Sequence, residues 1–414
     1  MSKRIVLHCA LGQAEASSAK LANALNRGHW VQLQGRVVEQ QVLIPGPLLP
    51  AGPGVVMASG GSTGGHKHCL LPIGHLDQSA EATSVWLSKQ GISSKECLVL
   101  NPLPLHHVSG LMPWWRSRCW GAKYVWLEPA LMRDPIELEM WSHSCSGWAD
   151  QPVVVSLVPT QLKRLLAHPA GVRWLQGIAV IWIGGAALPN AMAETARDAG
   201  LRLAPCYGST ETAAMVAALP PDAFLRAREG CGCPLSDVQL RLGGDGAIQV
   251  KTKRLAVGVW REQSPDRLQP LCDQEGWWQS GDIGELIDTS AGLSLNILGR
   301  RDGAIQSGGV TVFPEQLERR LEEQAARANL PLDAVLFLPI DDDEWGHRLV
   351  ALVKPSCSGD ARALLNSLRQ LCADWSPSDR PRQWMLCADL ISNQAGKWDR
   401  RYWYDYFLAK RMSE

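Results

Sequence analysis

The sequence predicts an α/β protein: a large N-terminal domain with mostly parallel sheets flanked by helices, a β-rich subdomain, and a small α+β C-terminal domain. Three observations predict it. From about residue 55 to 212, short apolar runs alternate with helix-length segments, the pattern of strands buried between helices. From about residue 230 the runs alternate apolar and polar residues, as half-exposed antiparallel strands do. After Gly299-Arg300 a further pattern of helix, strand, strand and helix fills about 110 residues, enough for a unit with its own core. At 414 residues the chain is too long for one core, so several domains are expected.

Residues 11–26 have the Ala/Leu content and spacing of a helix. A Pro/Gly-rich approach at 45–54 leads into an apolar strand, 55–58, and then into Ser59-Gly60-Gly61-Ser62-Thr63-Gly64-Gly65-His66-Lys67. Four glycines, three hydroxyls and a lysine in nine residues can turn the backbone sharply and aim N–H groups and a cation at a phosphate chain. Taken alone, the same composition serves equally well as a mobile surface loop. It is not a Walker A loop, because Gly65 is followed by His66, Lys67 and His68, with no Ser or Thr after the lysine.

The alternation then continues. A helix over 76–90 ends at Gly91, and 97–100 is a buried strand followed by a segment, 102–110, that contains His106, His107 and Ser109. A strand at 124–127 precedes a helix near 135–142. A strand at 153–158 precedes a helix opened by Pro159-Thr160 and running to about 167. The strand 178–183 ends on Gly184-Gly185, and the helix 188–199 is closed by Gly200. Residues 203–206 lead into Tyr207-Gly208-Ser209-Thr210-Glu211-Thr212. Residues 238–242 and 247–251 are the half-exposed strands. The C-terminal pattern comprises a helix at 314–328, strands at 334–338 and 349–354, and a helix at 361–373.

Composition narrows the function. Apolar content of 46% and charged content of 20% are those of a globular protein. With 41 basic and 41 acidic residues the net charge is zero, which argues against nucleic acid as a partner. No apolar run is long enough to span a bilayer, and the apolar part of the N-terminus is too short for a signal peptide, so a cytoplasmic location is expected. The 12 cysteines are scattered, and Cys231-Gly232-Cys233 lacks the second pair a metal site needs; reduced, mostly buried thiols are expected. The 18 tryptophans against 4 phenylalanines fit a bias in core filling, since they do not cluster along the chain. Self-association is left open.

Several short signals in fixed order resemble the adenylate-forming superfamily of acyl-CoA synthetases, adenylation domains and luciferases. Residues 59–67 are similar to its phosphate loop, with Gly60 and His66 as the main departures. Tyr207-Gly208-Ser209-Thr210-Glu211 matches its Y-G-x-T-E motif, and Ser280-Gly281-Asp282 is similar to its T-G-D. Gly299-Arg300-Arg301-Asp302, Ser307-Gly308-Gly309 and Pro314-Glu315-Gln316-Leu317-Glu318 resemble its hinge region, and Asn393-Gln394-Ala395-Gly396-Lys397 its final lysine motif. Within the superfamily the sequence most resembles the o-succinylbenzoate–CoA ligases of menaquinone and phylloquinone synthesis. That likeness rests on residues 103–111, Val158-Pro159-Thr160-Gln161-Leu162, Gly184-Gly185-Ala186-Ala187-Leu188-Pro189 and Glu344-Trp345-Gly346-His347-Arg348. The first fifty or so residues are shorter than the family's usual lead, so a trimmed N-terminal subdomain is expected.

The resemblance implies an ATP-dependent acid–thiol ligase that forms an acyl-adenylate and passes the acyl group to CoA. It implies a domain at 1–299 with the β-rich subdomain near 230–299, a mobile lid domain at 303–414, and a hinge near 300–302 at Asp302. Ser59, Gly61, Ser62, Thr63, Gly64 and Lys67 would hold phosphates, Thr210 would donate to the α-phosphate, and Glu211 would hold Mg²⁺. Tyr207 would stack on adenine beside Gly208 and Gly185, and Asp282 would accept from the ribose with Arg300 nearby. Lys397 would bridge the attacking carboxylate and the α-phosphate. His107, Ser109, Gly184 and Ser209 would line the acyl pocket. From the residues alone, Tyr207 could be a core tyrosine, Glu211 a helix-terminal carboxylate and His107 a capping residue. Two other functions use the same pattern: loading a carrier protein instead of CoA, and silent nucleotide binding.

Overall fold

The computed structural model describes residues 4–9, 12–35, 43–59, 67–356, 360–391 and 398–411. Its first sheet has six strands in the order Arg4–His8, Trp30–Gln34, Gly54–Ser59, Lys67–Pro72, Gly258–Arg261 and Leu268–Gln269. The first three run parallel and the rest pair antiparallel. The second sheet runs Ala214–Ala218, Leu203–Ser209, Val180–Ile183, Val153–Leu157, Leu98–Asn101 and Lys123–Trp126. It is parallel except for its first pair.

Two helices, Ile73–Ser88 and Val108–Trp120, lie between these sheets. Leu76, Ala80, Leu111 and Trp115 pack with Val31, Val55, Met57 and Cys69 of the first sheet. Ala82, Trp86, Leu87 and Trp120 pack with Val99, Val154, Val180 and Trp182 of the second. The other face of the second sheet carries Leu98, Leu100, Val153, Val155, Ile181 and Ile183, covered by Leu162, Leu165, Trp174 and Ala196 of outer helices. Successive strand side chains alternate faces, so strands apolar at every position need both layers.

The third sheet, Gln239–Leu242, Ala247–Lys251, Trp278–Thr289 and Gly292–Arg300, is antiparallel throughout. The fourth is built on the long hairpin Leu332–Asp342 and Gly346–Pro355, with Pro381–Leu386 beside it. Helices Pro314–Arg327 and Ala361–Leu371 cover one face of that sheet through Leu317, Leu321, Leu364 and Leu368. Helix Arg400–Arg411 covers the other through Trp403 and Phe407. The expected α/β class, with a large N-terminal and a smaller C-terminal part, is the one observed.

Several elements differ from expectation. Lys67 is the first residue of a strand rather than the end of a loop, so the glycine-rich segment joins two antiparallel strands, with Ser59 directly opposite Lys67. The helix expected over 76–90 begins at Ile73, because Pro72 at its N-cap supplies a fixed φ and starts the turn early. Residues 108–120 form a helix that sequence patterning missed; Pro113 inside it masked the pattern. The strands Arg4–His8 and Trp30–Gln34 and the helix Pro169–Gln176 are further elements beyond those expected.

The eleven described cysteines are free, but only Cys9, Cys69, Cys97, Cys372 and Cys387 are fully buried; five others are half-buried and Cys119 is exposed. Cys231-Gly232-Cys233 is a turn: Gly232 has φ of 71°, and a Cβ there would lie 2.4 Å from the Ala218 carbonyl oxygen. Among the described residues no helix is long and apolar enough to cross a membrane.

Candidate active site

The two ends of the glycine-rich hairpin meet Glu211. Ser59 Oγ donates to Glu211 Oε1 at 3.2 Å across 152 residues of sequence, and the Lys67 ammonium pairs with the same oxygen. Ser59 and Glu211 are buried. Burial alone would raise the Glu211 carboxyl. The Lys67 charge, with hydrogen bonds that include one from Ser209, outweighs it and holds the group below the ordinary glutamate value. Glu211 is therefore a carboxylate, set beside Ser59 and Lys67, the two residues that flank the glycine-rich segment.

Among the described residues no group of three or more His, Cys, Asp or Glu comes together, so Glu211 offers a single hard-oxygen donor. A divalent ion there would complete its shell with phosphate oxygens and water. That is the arrangement magnesium favours, so the donor set fits Mg²⁺.

Glu211 is presented by the turn between strands Leu203–Ser209 and Ala214–Ala218. Thr212 stitches the turn together: its Oγ1 receives the Ser209 N–H at 2.9 Å and donates to the Ala214 carbonyl at 2.6 Å. Thr210 sits at its start, its carbonyl accepting from the Ala213 N–H at 3.2 Å. Ala213 and Ala214 have φ of 50° and 83°. Residues with a Cβ pay about 1–2 kcal/mol each for that region, so this backbone persists only because its surroundings hold it. Gly208 lies beneath the turn, where a Cβ would come within 2.1 Å of the Ala214 carbonyl oxygen.

A second cluster gathers around Tyr207, two residues before the end of the strand Leu203–Ser209. Tyr207 Oη donates to Asp282 Oδ2 at 2.7 Å, and Arg300 Nη1 lies 3.4 Å from Asp282 Oδ1. Asp282 and Arg300 are cross-strand partners in the third sheet. Burial, followed by the Asp282 charge, pushes the Tyr207 phenol well above its usual value, so it stays a donor. Asp282 keeps lone pairs free beyond these two contacts, as an acceptor for ribose hydroxyls must.

On the acyl side, His107 is the exposed N-cap residue of the helix Val108–Trp120, but its side chain makes no capping hydrogen bond. The His106 ring lies 4.3 Å from it, and Gly35 is pressed against the same ring. Burial, then His107, pushes His106 down to about 4, so it is neutral at working pH. Ser109 is exposed on the helix's first turn. Gly184 packs on Cys206, where a Cβ would come within 3.0 Å of the thiol, and Gly185 has φ of 83°.

Sequence reasoning missed the most informative group here. Arg116, on the helix Val108–Trp120, is 4% exposed and packs with Val99, Pro113, Ser156 and Trp182 around a gap too small to admit a water molecule. Its guanidinium lies 5.4 Å from the Trp182 ring centre. Its Nε has no hydrogen-bond partner, and it makes no ion pair with a described carboxylate. Burial pushes it down to about 10, with the neighbouring Cys206 opposing and Arg254 reinforcing the shift; it remains a cation. The one available signal is that Arg116 and Arg118 stand in a segment that also carries Trp114, Trp115 and Trp120.

Gly61, Ser62, Thr63, Gly64 and Lys397 fall outside the described residues. Asp302 lies in the single turn Arg301–Gly303 that follows the third sheet.

Residues 11–252 match the family model described as AMP-binding enzyme. The chain is 32% identical over 300 residues to the 2-succinylbenzoate–CoA ligase of Salmonella typhimurium, covering 72% of this chain. It spans 58% of that relative's length. Among solved structures it resembles the o-succinylbenzoate CoA synthetase of Bacillus subtilis in complex with its acyl-adenylate intermediate, with a TM-score of 0.71 at 20% identity over 97% of this chain and 87% of that one. The same enzyme in complex with ATP and a magnesium ion aligns with a TM-score of 0.68 at 20% identity, over 96% and 88%. At this identity the structural likeness speaks for the fold.

Proposed function

The chain belongs to the AMP-binding enzyme family, and from that premise we propose that it is an AMP-forming acid–thiol ligase acting on o-succinylbenzoate and CoA. The observation that carries the reading is the convergence of Ser59 and Lys67 on the buried carboxylate of Glu211. The first half-reaction joins two anions: the acid's carboxylate attacks the α-phosphorus of ATP and pyrophosphate leaves. Cations and donors must neutralise that charge. Lys67 and the hairpin loop hold the β- and γ-phosphates, Thr210 donates to the α-phosphate, and Lys397 bridges the two reacting groups. Bound Mg²⁺, held by Glu211, would spread the phosphate charge. Tyr207, Asp282 and Arg300 orient the nucleoside. In the second half-reaction the CoA thiolate attacks the acyl carbonyl and AMP departs.

The acid is a dicarboxylate. Its succinyl carboxylate reacts; its ring carboxylate needs a cation, and we assign that part to Arg116, whose guanidinium faces Trp182, two residues before Gly184. The Salmonella relative named for this substrate supports the same choice. A cytoplasmic place in quinone biosynthesis follows from it.

Pyrophosphate release tests this reading. It should depend on ATP, Mg²⁺ and o-succinylbenzoate, with the thioester appearing on free CoA. Faster release with medium-chain fatty acids, or a thioester formed only on a carrier protein, would overturn it.

The boundary at 300–302 is proposed as the pivot between half-reactions. A pivot must change backbone dihedrals, and Asp302→Pro would fix φ near about −65°. It should spare one half-reaction and cripple the other. If both rates stay normal, the chain turns elsewhere.

A further inference from the structure

Arg254 lies between the strands Ala247–Lys251 and Gly258–Arg261, and its side chain is fully buried. Its guanidinium makes five contacts. Nε and Nη2 donate to Asp237 at 2.8 and 3.3 Å, and Nη1 donates to Ser79 Oγ at 2.9 Å. The other two go to main-chain carbonyls of the active-site turn: Nη1 to Thr212 at 3.2 Å and Nη2 to Met215 at 2.8 Å. Five acceptors match the five N–H donors of a guanidinium.

The partners extend the network. Ser79 Oγ donates to the Ala213 carbonyl at 2.6 Å. The Ala256 N–H, two residues beyond Arg254, donates to the carbonyl of Glu211 itself at 2.8 Å. Asp237 also accepts from Gln78 and Thr252, both at 3.2 Å. The carbonyls of residues 211, 212, 213 and 215 are thus all held by Arg254, by its own segment or by its partner Ser79. Those are the residues around the two left-handed alanines. Ser79 sits on the helix Ile73–Ser88, which directly follows the strand that begins with Lys67. One arginine therefore ties the Glu211 turn, the Lys67 segment and the β-rich subdomain together.

We infer that Arg254, seated by Asp237 and Ser79, is a positioning residue that sets Glu211 against Lys67 and so creates the magnesium-dependent part of ATP binding. It touches neither nucleotide nor metal; it acts through the turn. The inference rests on the proposed role of Glu211 as the metal ligand.

The test measures ATP affinity by calorimetry, with Mg²⁺ and with EDTA, together with the thermal unfolding midpoint. Arg254→Met should weaken MgATP binding about tenfold or more, while metal-free ATP binding changes by less than about threefold. In a Glu211→Gln background the same substitution should add nothing further. Arg254→Lys, with three donors for five acceptors, should fall between. Ser79→Ala should shift MgATP affinity in the same direction by a smaller factor, and it decides the matter if the Arg254 variants do not fold. Equal weakening with and without metal, or an undiminished effect in the Glu211→Gln background, would make the network purely structural. Should Glu211→Gln alone leave the magnesium-dependent gain intact, the metal role of Glu211 itself fails, an outcome distinct from the failure of the coupling.

Discussion

Arg116→Met should lower kcat/KM for o-succinylbenzoate by about 10²–10³-fold while leaving a monoacid analogue, with hydrogen in place of the ring carboxylate, nearly unaffected. Removing one partner of a buried ion pair leaves the other charge unpaired, at a cost of about 3–5 kcal/mol, and each 1.4 kcal/mol is about tenfold. The monoacid never makes that pair and has nothing to lose. In the free protein Arg116 is a buried cation whose Nε lacks a partner, so methionine of similar length removes a desolvation penalty. The unfolding midpoint should therefore hold or rise even as activity falls. Steady-state pyrophosphate release on both acids, with a thermal melt, reads all three quantities. Parallel losses on the two acids, or a fallen midpoint, would assign Arg116 to the core.

Lys397→Ala should slow acyl-adenylate formation by about 10²–10³-fold, the usual loss when one preorganised donor to a developing charge is removed. Thioester formation from preformed acyl-adenylate should stay close to wild type. On the proposed role the lysine would neutralise two anions in the first step, whereas in the second the acyl carbon is already activated. Single-turnover assays of the separate half-reactions give the comparison. Equal slowing of both would mean that Lys397 supports the lid as a whole rather than the first chemical step.

Residues that bear on chemistry were legible to different degrees. The run Tyr207 to Glu211 stood out because motif order along a chain is a local property. That Ser59 and Lys67 close on Glu211 was not local: it requires the hairpin register to place Ser59 opposite Lys67 and the second sheet to deliver the turn from 152 residues away. From the sequence Lys67 reads as the end of a loop, since strand pairing past a glycine cluster leaves no trace in composition. The sequence allows His107 as a cap or a pocket residue, and it occupies the cap position without making the capping bond.

By itself the sequence determined the α/β class, the change to antiparallel strands after residue 230 and the order of the nucleotide motifs. Those follow from periodicity, turn residues and spacing, which operate over a few residues at a time. Only the tertiary structure decided the roles of Arg116 and Arg254. Both are arginines in unremarkable sequence, and an arginine's meaning depends on what surrounds it once water is removed. Arg254 is enclosed by acceptors from Asp237, Ser79, Thr212 and Met215 and becomes a scaffold. Arg116 is enclosed by Trp182, Pro113 and Val99 without a described carboxylate, which is what makes it the candidate partner for an anionic ligand. Burial gives the same side chain opposite surroundings, and a charge in low dielectric is costly wherever it lacks a partner.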